Sequence, residues 1–305
     1  MQLSVIVTVV DGGAALARCL RGLEAQRGVP ALEVIVPWDR SVAGIEALER
    51  SFPGARFLAL GSPPTRRPVS SAAGQHELFD LRRAAGLAAA SGDLIAIVED
   101  RGVPRPDWAR QMIDLHAEPR TPPLAAVGGA VANGRRGALA WAVYLCDYDR
   151  YQPPFAAGPS PWLSDTNVCY TRRALEATRP LWRERYHETT VHWALARAGE
   201  TLWLSPAPVC DQLRDDLQLV DLLRERFAWG RLYGVTRASE ASRLERVGLA
   251  LMTPLLPGLL WLRKLRAQRA GRPTLARFVR LAPLVGLLLA AWTAGELAAY
   301  LGARA

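Results

Sequence analysis

The chain lacks the cysteine spacing of a disulfide scaffold or a zinc-binding module. Its four cysteines (Cys19, Cys146, Cys169 and Cys210) are spread over 305 residues, and no two of them form a Cys-x-x-Cys pair. Internal repeats and low-complexity segments are absent, and the first residues have no basic stretch of the kind that opens a secretory signal peptide. We therefore expect a protein that folds without disulfides in a reducing, cytosolic compartment.

Acidic residues are scarce at the C-terminal end. Residues 224–305 contain 14 basic and 4 acidic side chains, whereas the 223 residues before them contain 24 and 25. This end therefore has a formal net charge of +10, and the rest of the chain −1, for a total of +9. A cationic region suits either nucleic acid or anionic lipid. Because two long apolar runs interrupt this one and no nucleic-acid motif accompanies it, we expect a membrane partner and no nucleic acid.

Apolar segments of strand length alternate with segments of helical spacing. Half of the residues are apolar or aromatic and 22% are charged, which excludes a disordered chain. The alternation is typical of an α/β fold with a mostly parallel central sheet flanked by helices. The predicted strands are residues 3–10, 32–36, 55–60, 94–98, 125–131 and 201–204; the predicted helices are 14–26, 42–50, 78–90 and 222–235; the predicted loops are 65–75 and 153–161.

Acidic side chains stand where three of these predicted strands end. Asp11 follows the first strand, Asp39 the second, and Glu99 and Asp100 the fourth. The carboxyl ends of parallel strands meet at one edge of a sheet, and ligands of open α/β sheets bind there. We therefore expect a functional site at this edge. Asp11 is equally suited to cap the helix that follows it, and Asp39 to stabilise a turn.

Two apolar runs lie in the cationic tail. Residues 281–301 are long enough to cross a bilayer, whereas 247–262 are shorter and contain Pro254 and Pro257. Seven basic residues and no acid lie in 263–280, so a two-span hairpin would carry this charge across the membrane, against the positive-inside bias. We expect 247–262 to be re-entrant or interfacial, 263–280 to face anionic headgroups, and 281–301 to be transmembrane or interfacial. The alternative is a buried helical pair in a soluble protein.

Several segments follow one another in a fixed order and spacing over about residues 3–235. They read SVIVTVVD with LARCLRGLEAQ (4–11, 16–26), EVIVPWD (33–39), RAAGL with ASGDLIA (83–87, 90–96) and VEDRGVPRPDW (98–108). Together they resemble the inverting family 2 glycosyltransferases. The resemblance implies a GT-A type nucleotide-diphospho-sugar transferase fold, a nucleotide-diphosphate sugar donor such as a UDP-sugar, and a divalent cation, Mg²⁺ or Mn²⁺.

The resemblance also implies roles for residues of the donor site. A carboxylate at the end of the second strand would accept hydrogen bonds from the uracil imide or the ribose hydroxyls. Contacts to the donor nucleotide are expected at Thr8, Val10, Asp11, Asp39, Arg83 and Gly86.

The metal-binding motif departs from the family pattern. Glu99-Asp100-Arg101 stands in place of Asp-x-Asp, so an arginine occupies the position of the second acid, and Asp211 falls where many relatives have a metal-binding histidine. Three interpretations stay open. Glu99, Asp100 and Asp211 supply oxygen ligands to Mg²⁺ or Mn²⁺; Arg101 supplies positive charge to the diphosphate itself; or donor binding has been lost.

Residues of the acceptor half complete the resemblance. Asp165 and Asn167 lie in a segment expected to contact sugar hydroxyls, with a loop-stabilising pair as the alternative. Inverting transfer needs one carboxylate to deprotonate the acceptor hydroxyl, and Glu188 is the candidate base, with a solvated helix glutamate as the alternative. A contact to the diphosphate or the acceptor is expected from Arg224, Arg226, Trp229 and Arg231, with a juxtamembrane basic helix as the alternative.

These patterns predict a glycosyltransferase domain at residues 1–240, with a nucleotide-binding half at 1–110 and an acceptor half at 111–240, and a membrane-associated tail at 241–305. The predicted activity is inverting sugar transfer from a nucleotide-diphosphate donor to a lipid or lipid-linked glycan. We expect the catalytic domain on the cytoplasmic face of the cytoplasmic membrane. The alternative is a catalytically silent, membrane-tethered sugar-binding or scaffold protein of the same fold.

Overall fold

A computed structural model describes residues 1–215, 217–269 and 274–302. Within these residues the chain forms two compact units. The first comprises residues 1–69, 74–134 and 151–213; the second comprises 70–73, 135–150 and the described residues from 214 onward. The second unit therefore begins before the predicted boundary at 240, and it takes in an internal segment that the predicted tail did not include.

A mixed sheet lies in the first unit. Its spatial order is β3-β2-β1-β4-β8-β6-β9-β5, with β7 paired to β9. The strands in the described part of the chain are β1 (Leu3–Thr8), β2 (Glu33–Trp38), β3 (Ala55–Ala59), β4 (Leu94–Glu99), β5 (Gly102–Pro104), β6 (Leu124–Asn133), β7 (Gly158–Pro159), β8 (Asn167–Thr171) and β9 (Thr201–Gln212).

Helices make up most of the rest of the described chain. In chain order they are α1 (Gly13–Glu24), α2 (Ile45–Ser51), α3 (Ala72–Ala89), α4 (Trp108–Ala117), α5 (Ala138–Asp147), α6 (Arg172–Trp182), α7 (Glu188–Arg197), α8 (Leu219–Glu240), α9 (Arg243–Met252), α10 (Leu256–Arg269) and α11 (Leu275–Tyr300).

The central strands are apolar because both of their faces are covered. All six residues of β1 are buried, and so are the first five of β4. Strands buried on both faces are near-continuous runs of β-branched and other apolar residues, in contrast to the alternating pattern of a half-exposed strand. The predicted α/β class, with a central sheet flanked by helices and an apolar C-terminal helix, is confirmed.

Strand direction brings distant parts of the chain to one edge of the sheet. β3, β2, β1 and β4 are parallel, so their carboxyl ends lie together. β8 runs antiparallel to β4, with Asn167 opposite Val98, so the loop before β8 reaches the same edge. α3 begins near this edge and ends at the opposite one, where the Ala89 carbonyl accepts a hydrogen bond from Arg56 (3.4 Å).

Glycines bring α8 and α11 close together in the second unit. A Cβ on Gly230 of α8 would stand 1.9 Å from the Trp292 carbonyl oxygen, and one on Gly295 of α11 would stand 2.1 Å from the Phe227 carbonyl oxygen. The two helices are therefore in backbone contact, which only residues without a side chain allow. Within the described chain, α11 is the one helix long and apolar enough to cross a membrane by length and composition.

The chain's single lysine is buried in this unit. Lys264 Nζ donates to the carbonyl oxygens of Leu145 (2.8 Å) and Cys146 (2.9 Å), near the end of α5, and to Asp149 Oδ1 (2.8 Å). A lysine at a helix C-terminus satisfies carbonyls that have no partner within the helix. This corrects the expectation that the whole basic stretch faces headgroups, because Lys264 faces inward; Arg272 of that stretch lies outside the described residues.

The structure adds detail to two predicted segments. The loop predicted at 65–75 ends earlier than expected, because α3 begins at Ala72. The run predicted at 247–262 is divided between α9 and α10 by a short 3₁₀ turn at Thr253–Leu255. Pro254 lies inside this turn and explains it, since proline donates no backbone hydrogen bond.

Gly230→Ala tests the close approach of α8 and α11. The added methyl would overlap the Trp292 carbonyl, so we expect the free energy of unfolding to fall by about 1–3 kcal/mol in urea denaturation. Gly248→Ala in α9 is the matched control, because a Cβ there meets nothing within 4 Å; it should raise stability by about 0.5–1 kcal/mol. A Gly230→Ala protein as stable as the wild type would contradict the packing described.

Candidate active site

One buried aspartate organises the loop that follows β1. Asp100 Oδ2 accepts backbone N–H bonds from Val10 (3.0 Å), Asp11 (3.0 Å) and Gly12 (2.7 Å). Gly12 has a φ of 70°, a left-handed conformation that glycine adopts without strain and that helps these N–H groups converge. Burial raises the pKa of Asp100 to about 6, although the hydrogen bonds from Gly12 and Val10 oppose the shift. Asp100 thus acts as an internal anchor between β4 and the β1–α1 loop.

Arg101 and Asp11 form a two-bond pair above this anchor. Arg101 Nε donates to Asp11 Oδ2 (2.9 Å) and an Nη donates to Asp11 Oδ1 (2.6 Å). The side chain of Arg101 is 14% exposed and that of Asp11 is 33% exposed. The pair therefore lies near the surface of the sheet edge, where a ligand can reach it.

Asp39 is held by a buried arginine at the end of β2. Its Oδ2 accepts a hydrogen bond from Arg82 Nε (2.8 Å), and its Oδ1 accepts one from the Ser41 backbone N–H (2.9 Å). Arg82 also donates to the Val9 carbonyl and to Ser41 Oγ, so it ties β1 to the end of β2. Burial raises the pKa of Asp39, but the bonds from Ser41 and the charge of Arg82 outweigh it and leave the pKa lowered. Asp39 is therefore ionised near neutral pH.

A second buried arginine collects carboxylates from three elements. Arg83 of α3 lies 2.9 Å from Glu99 Oε1, 2.8 Å from Asp165 Oδ2 and 3.5 Å from Asp80 Oδ1, and its Nε donates to Thr8 Oγ1 (3.2 Å). We call Asp80, Arg83, Glu99 and Asp165 the Arg83 cluster. Its members come from α3, β4 and the loop before β8, so the cluster joins the donor and acceptor halves of the predicted domain.

Burial and mutual repulsion shift Glu99 and Asp165 of the Arg83 cluster toward the protonated form. Burial, with the charge of Asp165, raises the pKa of Glu99 to about 7, against the opposing charge of Arg83. Burial also raises the pKa of Asp165 to about 6; Arg83 opposes this shift, and Glu188 adds to it. Glu99 and Asp165 share one arginine, so this pair of acids holds or releases a proton near neutral pH.

Glu188 begins α7, close enough to the Arg83 cluster to influence it. Burial raises its pKa, but the neighbouring charges of His187 and Arg83 outweigh this, and the pKa stays below its usual range. Behind it, the Tyr170 hydroxyl lies 2.7 Å from the Tyr186 hydroxyl and 2.6 Å from His192 Nε2. Burial lowers the pKa of His192 to about 4, so His192 is neutral at pH 7. Glu188 is thus an ionised carboxylate near the uncharged, hydrogen-bonded side chains of Tyr170, Tyr186 and His192.

The predicted metal ligands Glu99, Asp100 and Asp211 each bond to another group of the chain. Glu99 is bonded to Arg83, Asp100 to three backbone N–H groups, and both oxygens of Asp211 to Arg105 (2.8 and 3.0 Å). In the described residues, no group of three histidine, cysteine or acidic side chains is placed to hold a metal ion.

Two predicted site residues, Asn167 and Gly86, are buried in the packing between elements of the fold. Asn167 is fully buried; its amide accepts from Trp108 Nε1 (2.8 Å) and donates to the carbonyls of Ala130 (2.8 Å) and Pro208 (3.0 Å), so all its contacts are within the core. Gly86 lets α3 pack against β1, since a Cβ there would stand 2.4 Å from Ile6 Cγ2.

Four predicted residues belong to the second unit. Arg226 is buried and forms an ion pair with Asp147, and its guanidinium lies 5.0 Å from the centre of the Trp229 ring. Arg224 is exposed and pairs with Asp221 (3.4 Å). These contacts explain Arg226 and Trp229 as parts of helix packing, and Arg231 lies one turn further along α8.

The sequence analysis missed three polar residues of α3: His76, Asp80 and Arg82. Two of them, with Arg83, recur at positions 76, 80 and 83, a helical spacing that places them on one face. His76 lies outside the predicted helix 78–90, so the prediction of that helix did not show the full stripe. A polar stripe on an otherwise alanine-rich helix was the available signal.

A cavity of about 310 Å³ lies near the amino ends of β2 and β3, away from this site. Its lining includes Leu20, Leu23, Val34 and Phe52, with Glu24 as its one charged residue among those described. It offers no positive charge to a phosphate. We therefore place the candidate active site at the carboxyl edge of the sheet.

Similarity to known proteins is found among solved structures. No family model matches the chain, and no match was found among curated proteins. Among solved structures, it is similar to S. aureus TarS 1–349 in complex with UDP-GlcNAc, with a TM-score of 0.48 and 14% identity over 100% of this chain and 92% of that one. TarS 1–349 alone gives 0.47 and 13% over 99% and 92%, and TarS gives 0.46 and 14% over 98% and 55%, so the chain spans about half of that last structure.

Proposed function

We propose that the chain is a glycosyltransferase that uses a nucleoside diphosphate sugar, with UDP as the nucleotide. The observation that carries this proposal is the Arg83 cluster at the carboxyl ends of the parallel strands, beside Asp11, Asp39 and Arg101. Ligands of open α/β sheets bind at this edge. The same positions carry the resemblance to family 2 glycosyltransferases, so pattern and geometry support one site.

The donor's base is proposed to bind beside Asp39. Its ionised carboxylate, held by Arg82 and Ser41, suits an imide N–H or a ribose hydroxyl. The diphosphate then extends along the β1–α1 loop toward Arg101. This direction takes the sugar toward the Arg83 cluster, where carboxylates from the acceptor half can accept bonds from its hydroxyls.

Glu188 is proposed as the general base of an inverting transfer. It removes the proton of the acceptor hydroxyl while that oxygen bonds to the anomeric carbon, and the bond from this carbon to the diphosphate oxygen breaks, releasing UDP. A base must be ionised to act, and the lowered pKa of Glu188 meets this condition at neutral pH. Asp165, with its pKa raised to about 6, is the competing candidate.

Glu188→Gln tests this role. We expect kcat for UDP release from a panel of UDP-hexoses and UDP-N-acetylhexosamines to fall by about 10²- to 10⁴-fold, with UDP affinity unchanged. Activity of the wild type falls as pH drops through the pKa of its base, and the pKa of Glu188 is lowered, so the acid limb of kcat/KM should lie well below the pH of about 6 expected for Asp165. Glu184→Gln, at an 84%-exposed side chain, is the control and should retain wild-type rates.

Other outcomes have definite meanings. An acid limb near pH 6 that Asp165→Asn removes would transfer the role to Asp165. A wild-type protein that binds UDP-sugars but cleaves none of them, with or without membrane lipids, would contradict the enzyme assignment and favour a silent sugar-binding protein.

We further propose that the acceptor is a lipid or lipid-linked glycan, because the second unit has the features of a membrane-surface domain. No residue of α9 is buried, and large apolar side chains are exposed at spacings of three, four and seven residues across α9 and α10. We call this set the apolar stripe: Leu244 (83% exposed), Val247 (57%), Leu251 (74%), Leu255 (62%), Leu259 (58%) and Leu262 (46%). An exposed stripe of this extent marks an interaction surface.

Charge favours an anionic bilayer as the partner of the apolar stripe. The stripe is flanked by Arg243, Arg263, Arg266 and Arg269, and Glu245 is the one acid between 243 and 269. Helices with apolar and cationic faces lie in the plane of an anionic interface. The seven charged residues of α8, which packs along α11, support an interfacial α11, because a spanning α11 would bring charged groups of α8 to hydrocarbon depth.

Vesicle binding tests this surface. We expect Leu251→Glu with Leu255→Glu to lower partitioning into phosphatidylglycerol-containing vesicles at least about tenfold in co-sedimentation, since each leucine loses about 1.5–3 kcal/mol of burial. Leu181→Glu, at a 43%-exposed leucine of the first unit, is the matched control and should bind as the wild type does.

Three results would oppose the surface proposal. Equal binding of the stripe variant would remove the stripe from the interface. Dimerisation of the wild type that the stripe variant abolishes would assign the stripe to a second copy. Wild-type protein that resists alkaline carbonate extraction from cell membranes would favour a spanning α11.

A further inference from the structure

Position 101 carries a positive charge where the family pattern has a metal-binding acid. Arg101 is the second residue after β4, and its guanidinium makes two hydrogen bonds to the Asp11 carboxylate. The Leu213 N–H donates to the Arg101 carbonyl (2.7 Å), which fixes the backbone at this point. Arg101 is therefore a positioned cation at the sheet edge.

The Asp11 carboxylate shows what kind of ligand Arg101 accepts. A guanidinium that binds a carboxylate through two N–H groups presents the same pair of donors to two phosphate oxygens. Asp11 is the more exposed partner, at 33%, and it lies on a loop with glycines at positions 12 and 13, so it can turn away when a phosphate arrives. The first turn of the 12-residue helix α1 follows this loop and adds positive potential.

The acids that would hold a cation have other partners. Asp100 accepts hydrogen bonds from the backbone of the β1–α1 loop, Glu99 accepts one from Arg83, and Asp211 accepts one from Arg105. The N–H groups of Val10, Asp11 and Gly12 all donate to Asp100 Oδ2, so a metal at this oxygen would leave buried N–H groups without an acceptor, which is costly. The arrangement thus favours a fixed guanidinium over a bound ion.

We propose that Arg101 replaces the divalent cation, so that this protein binds the donor diphosphate without metal. The inference rests on the proposed function, because it assumes a nucleoside diphosphate at this edge. Arg101 then exchanges Asp11 for phosphate oxygens and stabilises the negative charge that develops on the departing UDP. The charge that relatives obtain from an ion is supplied by the chain itself.

Calorimetric titration of the full chain with UDP tests the proposal. We expect the Kd of the wild type in EDTA to agree within about twofold with the Kd in Mg²⁺ or Mn²⁺. Arg101→Gln should weaken binding at least about tenfold in both conditions, as expected for loss of a charge-assisted bond pair. Arg110→Gln is the matched control, because Arg110 is a 47%-exposed arginine with acidic neighbours away from the site.

Arg101→Asp supplies a second arm. It restores the acidic residue of the family pattern, so we expect it to bind UDP only when Mg²⁺ or Mn²⁺ is present. Thermal melting of each variant shows whether it is folded, and the EDTA comparison on the wild type requires no variant.

The outcomes separate the inference from the proposed function. UDP binding that disappears in EDTA and returns with Mg²⁺ would overturn the metal-free inference and leave the proposed function intact. Metal-free binding that Arg101→Gln does not weaken would also overturn it. Absence of UDP binding under every condition would overturn both.

Discussion

A guanidinium buried among carboxylates is the constraint on which the candidate site depends. Arg83 is 1% exposed, and a buried charge is tolerated only when it is paired and its hydrogen bonds are satisfied. Burial lowers its pKa, but Asp165 and Glu99 outweigh burial and keep Arg83 charged. Because these partners come from separate elements, satisfying Arg83 also sets the relative positions of α3, β4 and the loop before β8.

The neighbouring interactions follow from the same need to pair buried charge. Arg82 pairs with Asp39, so α3 carries two adjacent arginines that each fix the end of a different strand. Asp100 accepts hydrogen bonds from the backbone of the β1–α1 loop, and Arg101 donates two hydrogen bonds to the Asp11 side chain of the same loop. The edge is thus built of strong bonds before any ligand arrives, and such preorganisation is what a site that stabilises a charged leaving group requires.

The strands could be predicted because their apolar runs are a local signal. Residues 3–9 and 94–98 are buried, and their unbroken apolar sequence indicates this. The start of α3 and the separation of α9 from α10 were harder, because a polar helical turn resembles a loop and a 3₁₀ turn keeps the apolar spacing. The pairings of Asp100, Asp211 and Asn167 were not accessible to sequence reasoning. Each partner lies far away in the chain, from 37 to 106 residues, and the type of side chain does not reveal whether it faces a ligand or the core.

The account's central claim is that a nucleoside diphosphate binds at the carboxyl edge of the sheet, between the β1–α1 loop and the turn that carries Arg101. Amide hydrogen exchange with and without saturating UDP tests this most directly. The account predicts slower exchange for residues 9–13 and 99–102, with no change around the cavity lined by Leu20, Val34 and Phe52. Protection at that cavity, or unchanged exchange throughout the carboxyl edge while UDP is bound, would contradict it.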